Sequence, residues 1–357
     1  AVLTNLSGIS GWDVSNVKNF EGMFEFNNSL TSIKDLRDWN TSSATKLYGM
    51  FRYCRSLSSL SGLEDWDVSS VTSLIETFYD CSSITNLDAL EKWDVSSVVY
   101  MDSTFREMYK LENIDGLGNW DTHNVQDMRC LLSEAQALKS LDPLSNWDTS
   151  SLMDISCNSF NNNLERAFEG CKLITNLDAL RNWNVGNIKN LWNTFGGCTS
   201  LENIDALENW DVHNVQDMHT IFSGCKSLTN LDALRNWNVD SVSRMDSAFY
   251  GCSSLADISA LQNWSTFNVT TTDSMFYECT SLTDVSPLAN WSTFNLIDAD
   301  KMFCLSDKLE NTSVLNDWNL PNLQYTFEMF GKCIDHPEFK SRQGYWDVAG
   351  TFVPTDR

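Results

Sequence analysis

Eleven cysteines, four histidines and 48 acidic side chains are the groups in this 357-residue chain with chemical potential. Eight of the thiols hold one place in a repeat: Cys54, Cys81, Cys171, Cys198, Cys225, Cys252, Cys279 and Cys333. A zinc site needs ligands close together in sequence, and no Cys-x-x-Cys occurs. Met108, Ala135 and Ser306 replace the thiol in three other repeats. The position therefore asks for a small buried group, not a metal ligand. Stacked neighbours ~4.8 Å apart lie within reach of a disulfide, but inward-facing thiols in register are expected to stay reduced. Cys130, Cys157 and Cys304 fall off the column.

His123 and His213 occupy equivalent places in WDTHNVQDM and WDVHNVQDM. They are three repeats apart and cannot share a metal, so no chemistry is assigned to them. The acidic residues are better ordered. Asp88, Asp115, Asp142, Asp178, Asp205 and Asp232 recur in six consecutive repeats, with Asn176, Asn203 and Asn230 two residues before the fourth, fifth and sixth of that set. Like charges stacked this closely repel unless something offsets them. Three explanations stay open: a solvated or backbone-capping ladder, a face for a basic protein, or Ca²⁺ binding. No EF-hand loop or Gly-Gly-x-Gly-x-Asp repeat supports the last. Nor is there a nucleophile elbow, a His-Glu-x-x-His pair, a P-loop or a dinucleotide fingerprint. The expectation is no enzyme and no cofactor, unless a well-formed pocket exists at the insertion or the C-terminal cap.

The elements that position these side chains follow from the tryptophans. Thirteen fall at 12, 39, 66, 93, 120, 147, 183, 210, 237, 264, 291, 318 and 346, an interval of 27 except for steps of 36 and 28. The longer step implies a nine-residue insertion near 155–163. Such a strict period is the mark of a solenoid. Counting each Trp as zero, apolar residues recur at +2, +5, +8, +12, +15, +18, +21 and +24. The steps of three and four from +5 to +15 predict a helix of about three turns, capped by the Ser or Asn at +4 and preceded by an Asx turn at +1. A short strand is expected over +17 to +22. One aromatic per corner predicts a packed, offset-stacked Trp column in preference to a sugar platform. Trp192, off the series, is the better candidate for a surface anchor.

The net charge of −24 excludes a phosphate-binding face and so a nucleic-acid partner. No apolar run is long enough to span a membrane.

The repeated strings MFRYCRSLSSLSGLEDWDVSSV (50–71) and MFYECTSLTDVSPLANW (275–291) resemble the BspA-type leucine-rich repeats. Here Trp stands where that variety commonly has Phe, and the coil is about two residues longer. The resemblance implies a surface protein, adhesin-like, extracellular or at the cell surface. Together these expectations describe an α/β solenoid. It is a right-handed leucine-rich-repeat coil of 12–13 turns of 27 residues, with a parallel β-sheet on the concave face and short helices on the convex face. The solenoid spans 1–333, with no N-terminal cap, and 334–357 forms the C-terminal cap. The expected partner is a macromolecule, protein or glycan and possibly basic, bound on the acidic concave face through the Asp and Asn residues above. A spacer or filament subunit that self-associates end to end is the alternative.

Overall fold

The computed structural model describes residues 3–153 and 164–355. The insertion near 155–163 and Cys157 lie outside the described residues. Two units, Ala1–Asn187 and Ile188–Arg357, are built from the same coil.

The positions expected to face inward do so. In the coil from Trp66, Val68, Val71, Leu74, Phe78, Cys81, Ile84, Leu87 and Leu90 are all buried. The Trp column is buried from Trp39 to Trp318, whereas Trp12 is 54% exposed. Indoles stack in register, with centroids 6.2 Å apart for Trp39–Trp66 in the first unit and 6.5 Å for Trp264–Trp291 in the second. Each buried indole N–H needs an acceptor. Trp66 donates to Leu36 O at 3.1 Å and Trp237 to Leu207 O at 2.9 Å, in each case 30 residues back. Beside the indoles, the Phe at +12 makes a second stack, such as Phe51–Phe78 at 5.7 Å.

The convex helix is not formed. Among the described residues there is no α-helix; +5 to +15 is a run of turns. An α-helix gives every N–H a carbonyl four residues back. Here alternate N–H groups leave the coil instead. Leu47, Gly49, Phe51 and Tyr53 donate to Ser73, Ile75, Thr77 and Tyr79 of the next coil. Met50, Arg52 and Cys54, between them, bond back three residues to Leu47, Gly49 and Phe51. The backbone is left-handed twice per coil, at +10 and +14: Glu76 (φ 52°) and Asp80 (φ 55°), or Ser247 (φ 55°) and Gly251 (φ 66°). A left-handed residue ends a helix. A chain folding inward every three or four residues gives the same apolar spacing, which is why the periodicity looks helical.

The expected parallel sheet also shrinks, to isolated bridges. One bridge column lies at +7, as in Lys46↔Ser73 and Arg244↔Thr271, and another at +20, as in Asn230↔Asp257. The regular elements are 3₁₀ turns just after +20, including Asp88–Leu90, Asp115–Leu117, Asp142–Asn146 and Asp178–Leu180 in the first unit. The second unit has Asp205–Asn209, Asp232–Leu234, Ser259–Asn263, Ser286–Leu288 and Thr312–Leu315. Nor does +4 cap a helix: Asn124 Nδ2 reaches back to Ser96 O at 2.8 Å and Asn268 Nδ2 to Asp240 O at 2.7 Å. The Asx turn at +1 is formed, as where Ser69 N donates to Asp67 Oδ1 at 3.0 Å.

The last coil is closed by 334–355. Glu328 and Phe330, at +10 and +12, have no further coil to donate to; they donate to Thr351 Oγ1 at 2.8 Å and Gly350 O at 3.0 Å. Phe339 stacks on Trp318 (6.5 Å, 4°) where the next indole would sit. Trp346 therefore does not continue the column: its N–H donates to Pro337 O at 2.8 Å, beside the hairpin of β1 (Gly344–Trp346) and β2 (Phe352–Pro354).

Candidate functional site

Each Asp of the +22 column begins a 3₁₀ turn, with its carboxylate exposed. The residue at +20 fixes it there. Asn176 Oδ1 accepts the Asp178 N–H at 3.1 Å, Asn203 Oδ1 that of Asp205 at 2.7 Å, and Asn230 Oδ1 that of Asp232 at 3.1 Å. Ser140 does the same for Asp142 at 3.0 Å, and Asn86 and Asn113 for Asp88 and Asp115 at 3.3 Å. The column at +20 is thus an Asx-type cap whose carbonyl oxygens are spent on the backbone. The carboxylates at +22 are left facing solvent. Asp178 pairs with Arg181 at 3.0 Å and Asp232 with Arg235 at 2.6 Å, three residues on.

The first unit carries Asp88, Asp115, Asp142 and Asp178 along this edge; Asp205 and Asp232 belong to the second unit. In the first, a depression of about 230 Å³ lies between adjacent coils, lined by Glu112, Asn113, Asp115, Lys139, Asp142 and Pro143. Lys139 crosses it to Glu112 at 2.7 Å. Among the described residues, no three His, Cys, Asp or Glu side chains are grouped to hold a metal ion.

The described cysteines are buried and form no disulfide among themselves. Their role is more specific than filling space. Cys54, Cys81 and Cys252 donate through Sγ to the carbonyl at +12 of the preceding coil, at 3.1–3.2 Å. Ser306 makes the same bond with its hydroxyl, to Phe276 O at 2.7 Å. Burial pushes the Cys54 and Cys252 thiols up to about 12, which keeps the donor proton in place. His123 and His213 sit in their Asx turns, Nδ1 2.8 and 2.7 Å from Asp121 and Asp211.

A third surface was read from the sequence only through Trp192; its charged neighbours were missed. Trp192, half-buried, stacks on His219 of the next coil at 4.6 Å. His219 Nδ1 lies 2.6 Å from Asp217, which also meets Arg244 at 3.2 Å; Arg244 in turn reaches Asp246 at 3.1 Å. The His219 contact holds the Asp217 carboxyl below its usual value against the opposing effect of burial. In the first unit Arg52 bridges Glu25 and Glu76, and Arg129 bridges Asp102 and Asp127. The legible signal was opposite charge one period apart: Glu25 and Arg52, Asp102 and Arg129, Asp217 and Arg244 are each 27 residues apart.

A cavity does exist at the C-terminal cap, about 470 Å³ and lined by Cys304, Glu328, Cys333 and His336 among others. Its thiols are weak nucleophiles: burial raises Cys333 to about 12 and raises Cys304 as well.

Stacked coils, one Leu-rich stretch apiece and side chains bonding to neighbouring coils define a solenoid of leucine-rich repeats. The chain belongs to the family described as Mycoplasma protein of unknown function, DUF285, which matches it over residues 3–87, 56–164, 162–260 and 252–351. No curated protein matches. Among solved structures, a leucine rich cell surface protein of Faecalibacterium prausnitzii A2-165 is 17% identical over 74% of each chain, with a TM-score of 0.35. A leucine-rich repeat protein of Bacteroides ovatus ATCC 8483 is 17% identical, covering 82% of this chain and 80% of that one, with a TM-score of 0.35. One from Eubacterium ventriosum ATCC 27560 is 15% identical over 82% and 81%, with a TM-score of 0.39. The coil is defined by its own hydrogen bonds between neighbouring repeats. Among the described residues no helix is long and apolar enough to cross a membrane.

Proposed function

We propose that this chain is a non-enzymatic binding protein, extracellular or at the cell surface, that presents its Asp column to a basic segment of another protein. The observation that carries this is the exposed carboxylate at +22, repeated coil after coil on a backbone pinned by the residue at +20. A preset array binds at lower ordering cost than mobile side chains. Charge complementarity gives such a face its selectivity and on-rate. Asp115 and Asp142 line the depression between Glu112 and Lys139, and Asp88 occupies the same position one coil earlier. Asp178, Asp205 and Asp232, with Asn176, Asn203 and Asn230 behind the last three, extend the same chemistry. The BspA-type resemblance supports the surface setting.

The test is binding of an oligolysine peptide, followed by surface plasmon resonance at two salt concentrations. Replacing Asp88, Asp115 and Asp142 with Lys should weaken it by ~10-fold or more, since each lost charge contact is worth ~1 kcal/mol. Reversing three scattered exposed acids, Glu21, Asp307 and Glu338, makes the same change in net charge. Equal loss in both variants would reduce the effect to overall charge and sink the site. Unchanged affinity in the first variant would also sink the site, since the peptide would then bind elsewhere.

A further inference from the structure

The cavity at the C-terminal cap arises where a column of stacked rings stops. Position +13 holds Tyr250, Tyr277, Cys304 and Gly331 in successive coils, kept in register because Gly251 N donates to Tyr277 O, Glu278 N to Cys304 O and Leu305 N to Gly331 O. The two tyrosine rings lie parallel, 4.8 Å apart at 2°. Beyond Tyr277 the next two residues are too small to continue the stack. A Cβ at 331 would lie 2.8 Å from Cys304 Sγ and 3.1 Å from Glu328 Cβ, so a side chain there would require Cys304 to shift. The space left open is about 470 Å³, with Tyr277, Cys304 and Gly331 all on its wall. That is within the ~300–1,000 Å³ typical of small-molecule pockets.

The opposite wall is preformed. Val348, Ala349 and Gly350 of the cap line it. Ala349 N and Thr351 N both donate to Asp347 Oδ1, at 2.8 and 2.9 Å. Gly350 has φ +79°, and a Cβ there would meet the Phe330 backbone at 2.7 Å. Val348 is fully solvent-exposed at the rim, an apolar side chain with nothing of the described protein to cover. The remaining walls supply one charge of each sign, Glu328 and Lys332. Neither makes an ion pair among the described residues, although the coil holds both backbones in the left-handed region (φ 50° and 72°).

We infer that this cavity binds a free aromatic α-amino acid, its ring continuing the Tyr250–Tyr277 stack and its ammonium and carboxylate groups meeting Glu328 and Lys332. Offset stacking on an open ring face favours a planar aromatic group over an aliphatic one of similar size. Two opposite charges, four residues apart in sequence and both on the cavity wall, suit a zwitterion better than a singly charged ligand. The peptide-bound form of the same side chain lacks one charge at either terminus, which separates the two sources experimentally.

Equilibrium dialysis of the full chain against L-tryptophan, L-leucine, tryptamine and indole-3-propionate tests this. L-Tryptophan should bind saturably below about 1 mM, with L-leucine and the two singly charged analogues weaker by ~5–10-fold. Cys304→Tyr should extend the ladder into the cavity and reduce L-tryptophan binding at least ~10-fold without lowering the melting temperature. Lys332→Gln, at an exposed site, should weaken L-tryptophan and indole-3-propionate but leave tryptamine unchanged. This second variant keeps the test decisive if Cys304→Tyr unfolds. Absence of saturable L-tryptophan binding overturns the inference, as does binding that neither variant alters. Tighter binding of tryptamine or indole-3-propionate than of L-tryptophan also overturns it, pointing to a chain-terminal residue as the occupant.

Discussion

The thiol at +15 donates a hydrogen bond across the coil boundary, and the natural serine at 306 shows which property matters. Cys225 reaches Phe195 O at 3.2 Å from a fully buried site. Cys225→Ser should retain the bond and lose little stability. Cys225→Ala should lose it and leave a small void, costing ~1–3 kcal/mol in denaturant titration. The thiols also set a pH limit. Burial raises Cys54, Cys81, Cys225, Cys252, Cys279 and Cys333 above the ordinary thiol value. A raised folded value means stability is complete below the unfolded value, ~8.5, and falls as pH climbs toward the folded one. Melting temperature should therefore drop steeply between about pH 8.5 and pH 11, and the drop should shrink in Cys→Ser variants. Sequence alone placed these thiols inside and in register; it could not show the carbonyl they face, because backbone acceptors leave no residue signature.

At the level of the element, burial was legible and secondary structure was not. Val71, Leu74, Phe78 and Cys81 face the core as the spacing requires, yet the segment is turns. The cue lay at +14, where Gly170, Gly197, Gly224 and Gly251 have positive φ of 66–74°. Its partner at +10 is glycine only at Gly22 and Gly49 and is Glu, Ser, Asn or Thr in most coils, so the second left-handed position gives a weaker glycine signal. Thr220 at φ 55° is a β-branched residue in the left-handed region. Thr220→Gly should relieve strain and stabilise by ~0.5–1 kcal/mol, whereas Ser247→Val should destabilise by ~1–2 kcal/mol. The Asx caps offer an independent check. Asn203→Ala strips the acceptor from the Asp205 N–H and should cost ~0.5–2 kcal/mol. Paired thermal melts would reveal whether +10 or +20 constrains the coil more.

For the whole molecule, the −24 charge acts on stability as well as on partners. Asp102, Asp273 and Asp298 are raised, first by burial and then by neighbouring carboxylates. Their contribution is complete below the ordinary carboxylate value and lost as pH rises through the raised folded one. Asp67, Asp121, Asp148 and Asp211 are lowered, chiefly by hydrogen bonds from the residue two positions on. These contribute above ~4 and fade as pH falls further. Self-repulsion also eases on acidification. The melting temperature should peak on the acid side of neutrality, above pH 4, and a monotonic fall from pH 7 to pH 5 would contradict this. The repeat, the core column and the acidic column were legible because each recurs at fixed spacing. The cap cavity was not, since it depends on a column that ends.

The hydrogen bonds between coils have a direction. Backbone N–H groups from +8 to +14 look ahead to carbonyls not yet synthesised when their own coil emerges, as from Leu47 to Ser73. The indole and thiol donors look back, as from Trp66 to Leu36 and Cys81 to Phe51. A growing chain therefore completes each coil with the following one and always carries a fringe of four unanswered donors at its leading edge. Such a fringe is a template for pairing with any exposed strand. A proteolytic nick between coils would recreate it, so a clipped product should aggregate from the cut end, whereas the turn from Asp347 to Thr351 answers the donors of Glu328 and Phe330 in the last coil.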